Sequence, residues 1–574
     1  MPGGLIQLVA TGAQNELVNG SPSMTHFRAV YRKHTNFAME SIRMPFTATN
    51  QEFSPLGTRT LSCRIDRYAQ LLHDTYLIIT LPNIWSPLKY LGASALPSGY
   101  QTTGGANSIG YEFQWIKNIG YNMIDHVDIV MNGQVIQRLR GEWLKMYSYM
   151  THDANKRAVV DQMVGNVPEM YDPSNAYDRQ NQYPHAITPT STPTPLPKSI
   201  VPEPSIRSRQ LVVPLHFWFA ENPGLALPLV SLQNSEVYIN VTLRSLNDLY
   251  TVVDVKTSSP TYGQRVKPTG DADYNAMKLF LSPPTVTGAP SDPAITTWFP
   301  DPYIEGNFIY LTEMEMNQLA KADQTFLVKT VQYVGAEEQF GGNTDLELPL
   351  HNLVTRLVFD AIRSDRIAVN DWDNYTNWSS AARAPWSAIN SSVATALYGS
   401  GQEQVSSVAP RDSVIDGVLL LDGKERFQSK PIPYFSLLQR YRHTTGNVPD
   451  LPGVYTYSFA LDHDQYQPSG AVNGSLFNKA TLRLTLQTPL PQSVTPAGGS
   501  TSSIVCVLKS TVFSSNPTII PAGQVALYDP SQLVTVVQTN NNVIFVFTYT
   551  VNVYIESINF LRIVSGLGNL VFAS

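Results

Sequence analysis

Charge is the scarcest thing in this chain. Charged residues make up 15% of its 574, well below the usual quarter of a globular protein. No long run of one sign exists, and 39 Lys and Arg against 45 Asp and Glu leave a formal net charge of −6. Proteins that coat nucleic acid carry a basic arm or patch that displaces counterions from phosphates. Here the first 43 residues offer Arg28, Arg32, Lys33 and Arg43 against Glu16 and Glu40, so direct nucleic-acid contact is not expected. Cysteine is nearly missing too. Cys63 and Cys506 allow one intrachain pairing but define neither a disulfide framework nor a metal motif, and two buried, reduced thiols are expected. Nor is there a stretch of ~20 apolar residues able to cross a bilayer as a helix. The nearest run, 543–553, is broken by Thr548, Tyr549, Thr550 and Asn552 and reads as a strand. Met1-Pro2-Gly3-Gly4 lacks the basic-then-apolar profile of a secretory leader, so a soluble protein made in the cytoplasm is expected.

The spacings that catalysis needs are equally lacking: no phosphate-binding G-x-x-x-x-G-K-[ST], no H-E-x-x-H, no G-x-S-x-G. Asp462-His463-Asp464 comes nearest to a metal cluster, since carboxylate and imidazole donors suit divalent ions. Strand alternation would part its aspartates from its histidine, and solvated loop charges explain it as well. Glu313 with Glu315, or Glu337 with Glu338, could supply a glycosidase pair only across a sugar cleft. No cofactor is implied.

What the chain has in quantity is proline, 41, and glycine, 35, spread among aromatic and β-branched residues. That composition fits many short strands joined by turns, and the length predicts two or three domains. Low charge on so large a chain also implies that neighbouring subunits cover much of its surface. Tyr455, Tyr457, Phe459 and Leu461 alternate with Thr456, Ser458 and Ala460, which reads as a strand with one buried face. Pro468-Ser469-Gly470 breaks it, and alternation resumes at Leu482, Leu484 and Leu486.

The same plan occurs earlier, as residues 215–220, then Asn222-Pro223-Gly224, then the strand-like 237–243. Upstream of each copy an apolar run ends in a tight-turn dipeptide, VDIVMNG at 127–133 and VLLLDG at 418–423. Asn-Gly and Asp-Gly both suit a type I′ hairpin, whose two central residues take positive φ. An aromatic-bearing segment follows each, EWLKMYSYM and YFSLLQRYR. Paired landmarks in one order predict a duplicated all-β unit.

The expected organisation is an arm over 1–24 lying against the body or a neighbour, a first unit over 25–250, a connector over 251–305 and a second unit over 306–574. A short helix is expected within 111–125. Residues 306–330 read as a strand, an amphipathic helical piece and a strand. Residues 532–571 read as a closing hairpin around Thr539-Asn540-Asn541-Asn542. Seven prolines between Pro184 and Pro204 make that segment an extended surface loop. A second insertion, 371–410, carries Trp372, Tyr375, Trp378 and Trp386 and matches residues 91–110 in position, so both read as outward loops at one end, where function often sits. Sequons occur at Asn19, Asn240, Asn374, Asn377, Asn390 and Asn473. Of these Asn374, Asn377 and Asn390 share the aromatic insertion and would be exposed candidates for glycosylation.

Several stretches together resemble the major capsid proteins of nucleocytoplasmic large DNA viruses: LLLDGKERFQSKPIPYFSLLQRYRHTTGNVPDLPGVYTYSFALDHDQYQPSGAVNGSLFNKATLRL, the N-terminal GGLIQLVATGAQNELVNG with THFRAVYRKHTNFAMESI, ENPGLALPLVSLQNSEVYINV, and the terminal NFLRIVSGLGNLVF. The likeness is collinear over most of the chain. It implies an all-β double jelly roll, two tandem eight-stranded antiparallel β-sandwiches with long loop insertions. The implied protein is structural and not an enzyme, a homotrimeric pseudo-hexagonal capsomer in an icosahedral virion shell, assembled in the host cytoplasm. Neighbouring capsomers, minor capsid proteins and penton proteins are the implied partners, with an internal viral membrane nearby separating shell from genome. The alternative is a two-domain jelly-roll carbohydrate-binding protein or glycosidase whose loop aromatics stack on sugar rings.

Overall fold

The computed structural model describes residues 10, 12–48, 51–86, 111–179, 183–186, 203–253, 265–270, 275–283, 295–339, 341–377, 411–444, 451–487 and 548–572, together with the backbone of 492–494, 502–508 and 533–537. The Pro-rich stretch 187–202, residues 87–110 and most of the insertion after Asn377, with Trp378, Trp386 and Asn390, lie outside the described residues.

The first sandwich is built from β1 (Phe37–Pro45), β2 (Arg59–Arg64), β3 (Leu71–Leu81), β4 (Phe113–Trp115), β5 (Ile124–Met131), β6 (Gln134–Arg140), β7 (Arg209–Pro214), β8 (Leu227–Pro228), β9 (Val237–Leu243), β10 (Tyr250–Val253), β11 (Arg265–Val266) and β12 (Tyr303–Leu311). One sheet runs β1-β12-β3-β7 with β8 also on β3, the facing sheet runs β2-β9-β5-β6, and β11-β10-β4 forms a small third. The second sandwich uses β13 (Gln324–Gln339), β14 (Gly342–Leu348), β15 (Leu353–Arg363), β16 (Val414–Leu421), β17 (Lys424–Glu425), β18 (Lys430–Pro431), β19 (Val454–Ser458), β20 (Val472–Asn473), β21 (Ala480–Leu486), β25 (Tyr549–Val564) and β26 (Leu567–Leu570), while β22 (Gln492–Val494), β23 (Ser502–Leu508) and β24 (Leu533–Val537) pair among themselves as a separate sheet. Its sheets run β13-β25-β15-β19, with β20 on β15, and β14-β21-β16-β17, with β18 on β16.

The two orders superpose strand for strand, down to the two-residue β8 and β20 on equivalent strands. The expected double jelly roll is therefore present. Each hairpin turn takes the anticipated form: Asn132 and Gly133 have φ of 51° and 80°, Asp422 and Gly423 have 50° and 77°. These closures pair Met131 with Gln134 and Leu421 with Lys424. Each hairpin leads into a helix, α1 (Gly141–Thr151) in the first unit. The expected short helix before the first hairpin is Ile119–Asn122.

Several boundaries differ from the sequence reading. The strand expected to open the second unit, β12, lies instead between β1 and β3 of the first sandwich, pairing Glu305 with both Arg43 and Tyr76. Residues 251–305 likewise belong to the first unit more than to a connector: β10 pairs with β4, and Trp298 stacks on Phe53 at 4.8 Å while donating Nε1–H to the Thr80 carbonyl. The helical piece, α2 (Glu313–Lys321), and β13 follow as expected. The strand equivalent to β19 is β7, ending at Pro214; residues 218–221 form a helical turn. β19 itself stops at Ser458, and Leu461 is exposed. β24 pairs with β23, and among the described residues it does not pair with β25 as the expected closing hairpin would. β25 runs instead through the middle of the sheet between β13 and β15.

Two cores result. One is centred on the first sandwich and includes Trp115, Phe217 and Trp218, reaching across to Tyr554 and Val358; the other, with Phe359, Phe435 and Tyr455, fills the second. Cys63 is free and buried in the first. Burial, with Asp66 nearby, pushes its thiol up to about 12. The side chain of Cys506 lies outside the described residues.

Candidate assembly surfaces and the junction between the sandwiches

α1 follows directly from the Asn-Gly hairpin and is buried on nearly every side, including Glu142 and Lys145. A charge withdrawn from water needs a partner, and both find theirs across the junction with the second sandwich. Glu142 accepts from the Tyr554 hydroxyl at 2.8 Å and faces Arg244 at 3.3 Å and Arg366 at 3.7 Å. Burial alone would raise its carboxyl, but Arg244, Arg366 and Lys145 with the Tyr554 hydroxyl outweigh that and hold it down to about 2. Lys145 donates to Asp373 Oδ1 at 2.5 Å and Asn122 Oδ1 at 3.0 Å. Asp373 in turn accepts from Asn122 and Asn118. Burial opposes the Lys145 charge, but Asp373 and Tyr375 overcome it and keep the ammonium protonated.

The segment from Asn370 to Asn377 serves this junction. Asn370, at φ 53°, donates to the carbonyls of Asn247 and Tyr250 in the first unit. Trp372 donates Nε1–H to the Asp248 carbonyl at 2.9 Å and lies under Arg244 at 4.5 Å. The start of the aromatic insertion is thus an inter-sandwich clasp rather than an outward loop, and its Trp372 and Tyr375 are not free to stack on sugars. A second ionic group lies beside it. Arg356, 1% exposed, meets Glu556 at 2.7 Å and Asp464 at 3.5 Å. Glu221 and Lys329 bridge the units at 3.5 Å. Aromatic contacts complete the seam, Trp143 against Tyr554 at 5.7 Å and Arg140 over Tyr333 at 4.1 Å.

The residues expected to be functional fare unevenly. Asn374 and Asn377 are buried, 4% and 2% exposed. The Asn374 side chain accepts from the backbone N–H and hydroxyl of Thr376, and Asn377 accepts from the Tyr549 hydroxyl at 2.8 Å. Neither is an exposed glycan acceptor, because the chain folds back into the junction before the insertion leaves it. Asp462-His463-Asp464 stays together but is spent internally: His463 Nε2 lies 3.4 Å from Asp464 Oδ1, the Asp464 N–H donates to Asp462 Oδ1, Arg356 engages Asp464 at 3.5 Å, and His463 contacts Ser458 Oγ at 3.3 Å. Among the described residues no group of three His, Cys, Asp or Glu could hold a metal, and no helix is long and apolar enough to cross a membrane. Sequence reading missed the junction charges. The signal was there: Arg356 and Asp360 sit inside LVTRLVFDAI, and Glu556 inside VYIESINFL, charges embedded in runs that otherwise read as core.

Apolar side chains left in solvent mark the outer surfaces. The described part of the N-terminal arm is exposed, Leu17 91% and Met24 67%, and so is the chain just beyond it, Phe27 99% and Tyr31 81%. Phe37 and Met39 on β1, and Leu437 and Tyr441 on the helix after the second hairpin, are also exposed. Their arrangement suits contact with other protein surfaces.

Comparison with known proteins agrees with this geometry. Residues 25–298 match the family described as major capsid protein N-terminus, and residues 315–520 match the large eukaryotic DNA virus major capsid protein family. The chain is 28% identical over 557 residues to the major capsid protein of Phaeocystis pouchetii virus, covering 87% of this chain and 95% of that one. It is 25% identical to the major capsid protein of Paramecium bursaria Chlorella virus 1 over the whole of both chains. In fold it resembles a chain of the PBCV-1 virus capsid, with a TM-score of 0.57 at 21% identity over 96% of this chain and 100% of that one. It resembles the Faustovirus major capsid protein equally, TM-score 0.57 at 12% identity over 94% and 93%. A duplicated jelly roll, a sealed ionic seam between its halves and these likenesses place the chain in the family of major capsid proteins of large eukaryotic DNA viruses, a structural component of the virion shell and not an enzyme.

Proposed function

We propose that three copies of this chain close into a capsomer of pseudo-hexagonal outline, and that such capsomers tile an icosahedral shell. The observation that carries this reading is the strand-for-strand match of β1-β12-β3-β7 with β13-β25-β15-β19. Two similar wedges per chain let three identical chains present six similar flanks, so a ring closes without a second gene product. The rigid junction supports it, because charge pairs buried in the seam penalise any change in the angle between the wedges. The insertions after β3 and after β15 leave the two sandwiches at equivalent points of the strand order. The described arm, exposed and rich in apolar side chains, reaches a neighbouring capsomer or a minor capsid or penton protein. A net charge of −6 suits a shell whose inner face meets an internal membrane rather than the genome, assembled in the host cytoplasm. Negative-stain images of the purified chain test the reading: hexagonal plates with threefold symmetry support it, and small two-lobed particles at every concentration count against it.

A further inference from the structure

Duplication gives each sandwich the same two flanks, and within one chain only one of each is covered. In the first unit the helix after the Asn-Gly hairpin, α1, is buried against the outer face of β13-β25-β15, where Glu142 meets Tyr554. Its counterpart after the Asp-Gly hairpin, α3 (Tyr434–Leu438 continuing through Gln439–His443), has no such cover among the described residues. Leu437 and Tyr441 are 65% and 79% exposed, and Leu461, held beside the helix by its carbonyl at 3.0 Å from His443 Nδ1, is 76% exposed.

Among the described residues the opposite flank is open in the same way. β8 meets β3 at Leu71 and Leu72, and β20 meets β15 at Leu353 and Val354. An extra residue bulges from β3 and from β15 just beyond each of these points. Counting on from that shared register, Tyr76 takes the place of Val358. Glu305 and Arg43, cross-strand from Tyr76, take the places of Tyr554 and Tyr333. Tyr554 and Val358 are sealed under α1, whereas Arg43 is exposed and Phe37 and Met39 along the same edge are more than half exposed. Charge complements the fit. From Arg426 to His443, through the whole of α3, the chain has no carboxylate; Arg426 and Arg442 are exposed and Lys430 half-buried, while Arg440 is buried and donates to the Val454 carbonyl. The facing sheet presents Asp74, Glu305 and Asp301 about Arg43.

We propose that α3 of one chain seats on the outer face of β1-β12-β3 of a second copy, repeating between chains the contact that α1 makes within one. Leu437 and Tyr441 cover the edge bearing Phe37 and Met39, and Arg442, with Arg426 and Lys430 ahead of the helix, faces Glu305 and Asp74. The contact is head-to-tail, so each copy offers one flank and receives the other. This inference rests on the trimer reading above and names the surfaces that make it.

The test is cross-linking of the full chain with cysteine placed at Leu437→Cys and, in turn, at Ser41→Cys or Asn307→Cys, bridged by a short bismaleimide. Doubly substituted chains are expected to give linked species ending at three chains on a denaturing gel, and each singly substituted chain none. A preparation whose native mass is three chains but which never links overturns this contact and leaves the trimer standing. A native mass of one chain overturns both. Independently, Leu437→Asp with Tyr441→Asp changes residues that are exposed in the single chain, so the circular dichroism of the folded chain should not move. Half-assembly should then require roughly a hundredfold more protein, as loss of interface anchors does. Assembly unchanged by that double substitution overturns the proposal.

Discussion

Arg356 on β15 and Glu556 on β25 stand directly opposite each other, joined at 2.7 Å with their side chains 1% and 2% exposed. Removing one partner leaves a buried charge uncompensated, at a cost of ~3–5 kcal/mol. Arg356→Met should therefore lower the urea midpoint sharply. Arg356→Met with Glu556→Met should recover most of the loss, because Asp464, which burial already lifts to about 6, can hold a proton instead. A double variant as unstable as the single would refute the pairing.

The junction titrates at both ends of the pH scale. Glu142 is held down to about 2 against ~4.3 when unfolded. Its contribution is present above the unfolded value and is lost as pH falls from ~4 through 2. Asp360 runs the other way. Burial first, then Glu142, raises it to about 8 against ~3.9, so its contribution is complete below ~4 and is lost as pH rises through 8. Melting temperatures between pH 2 and 10 should show both limbs. Asp360→Asn, which can still accept from Asn552 at its Oδ1 position, should flatten the alkaline limb alone.

Two glycines separate conformational cost from collision. Gly423, at φ 77°, would meet nothing within 4 Å on gaining a Cβ, so Gly423→Ala should cost ~1–2 kcal/mol for the left-handed backbone only. At Gly453, φ 82°, the new Cβ would lie 1.9 Å from the Tyr375 carbonyl oxygen. Gly453→Ala should cost clearly more, and should loosen the clasp around Trp372. Equal melting temperatures for the two variants would argue against this packing.

Peptide mapping of virion-derived protein should find Asn374 and Asn377 unmodified, since their side chains are spent on Thr376 and Tyr549. A glycan on either would mean that the clasp opens.

How far the fold could be read from the chain depended on whether the signal was local. Asn132-Gly133 and Asp422-Gly423 declared their turns because type I′ geometry demands such residues, and the alternation of Leu482, Leu484 and Leu486 survives intact in β21. The placement of Tyr303–Leu311 was not legible. Its pattern says strand but cannot say which sheet, and its partners lie some 260 and 230 residues upstream. Leu461 looked like a continuing strand because alternation alone does not reveal where pairing stops. Asn374 and Asn377 looked like loop asparagines, and the pairing of Arg356 with Glu556 went unread, for one reason. A polar residue shows whether it is buried only through partners distant in sequence, here Tyr549 and Glu556.

The central claim, that this duplicated sandwich exists to meet copies of itself, is tested most directly by the native mass of the purified full chain over a wide range of concentration. Three times the chain mass, persisting on dilution, is the expected result. A single-chain mass at the highest concentration would contradict it.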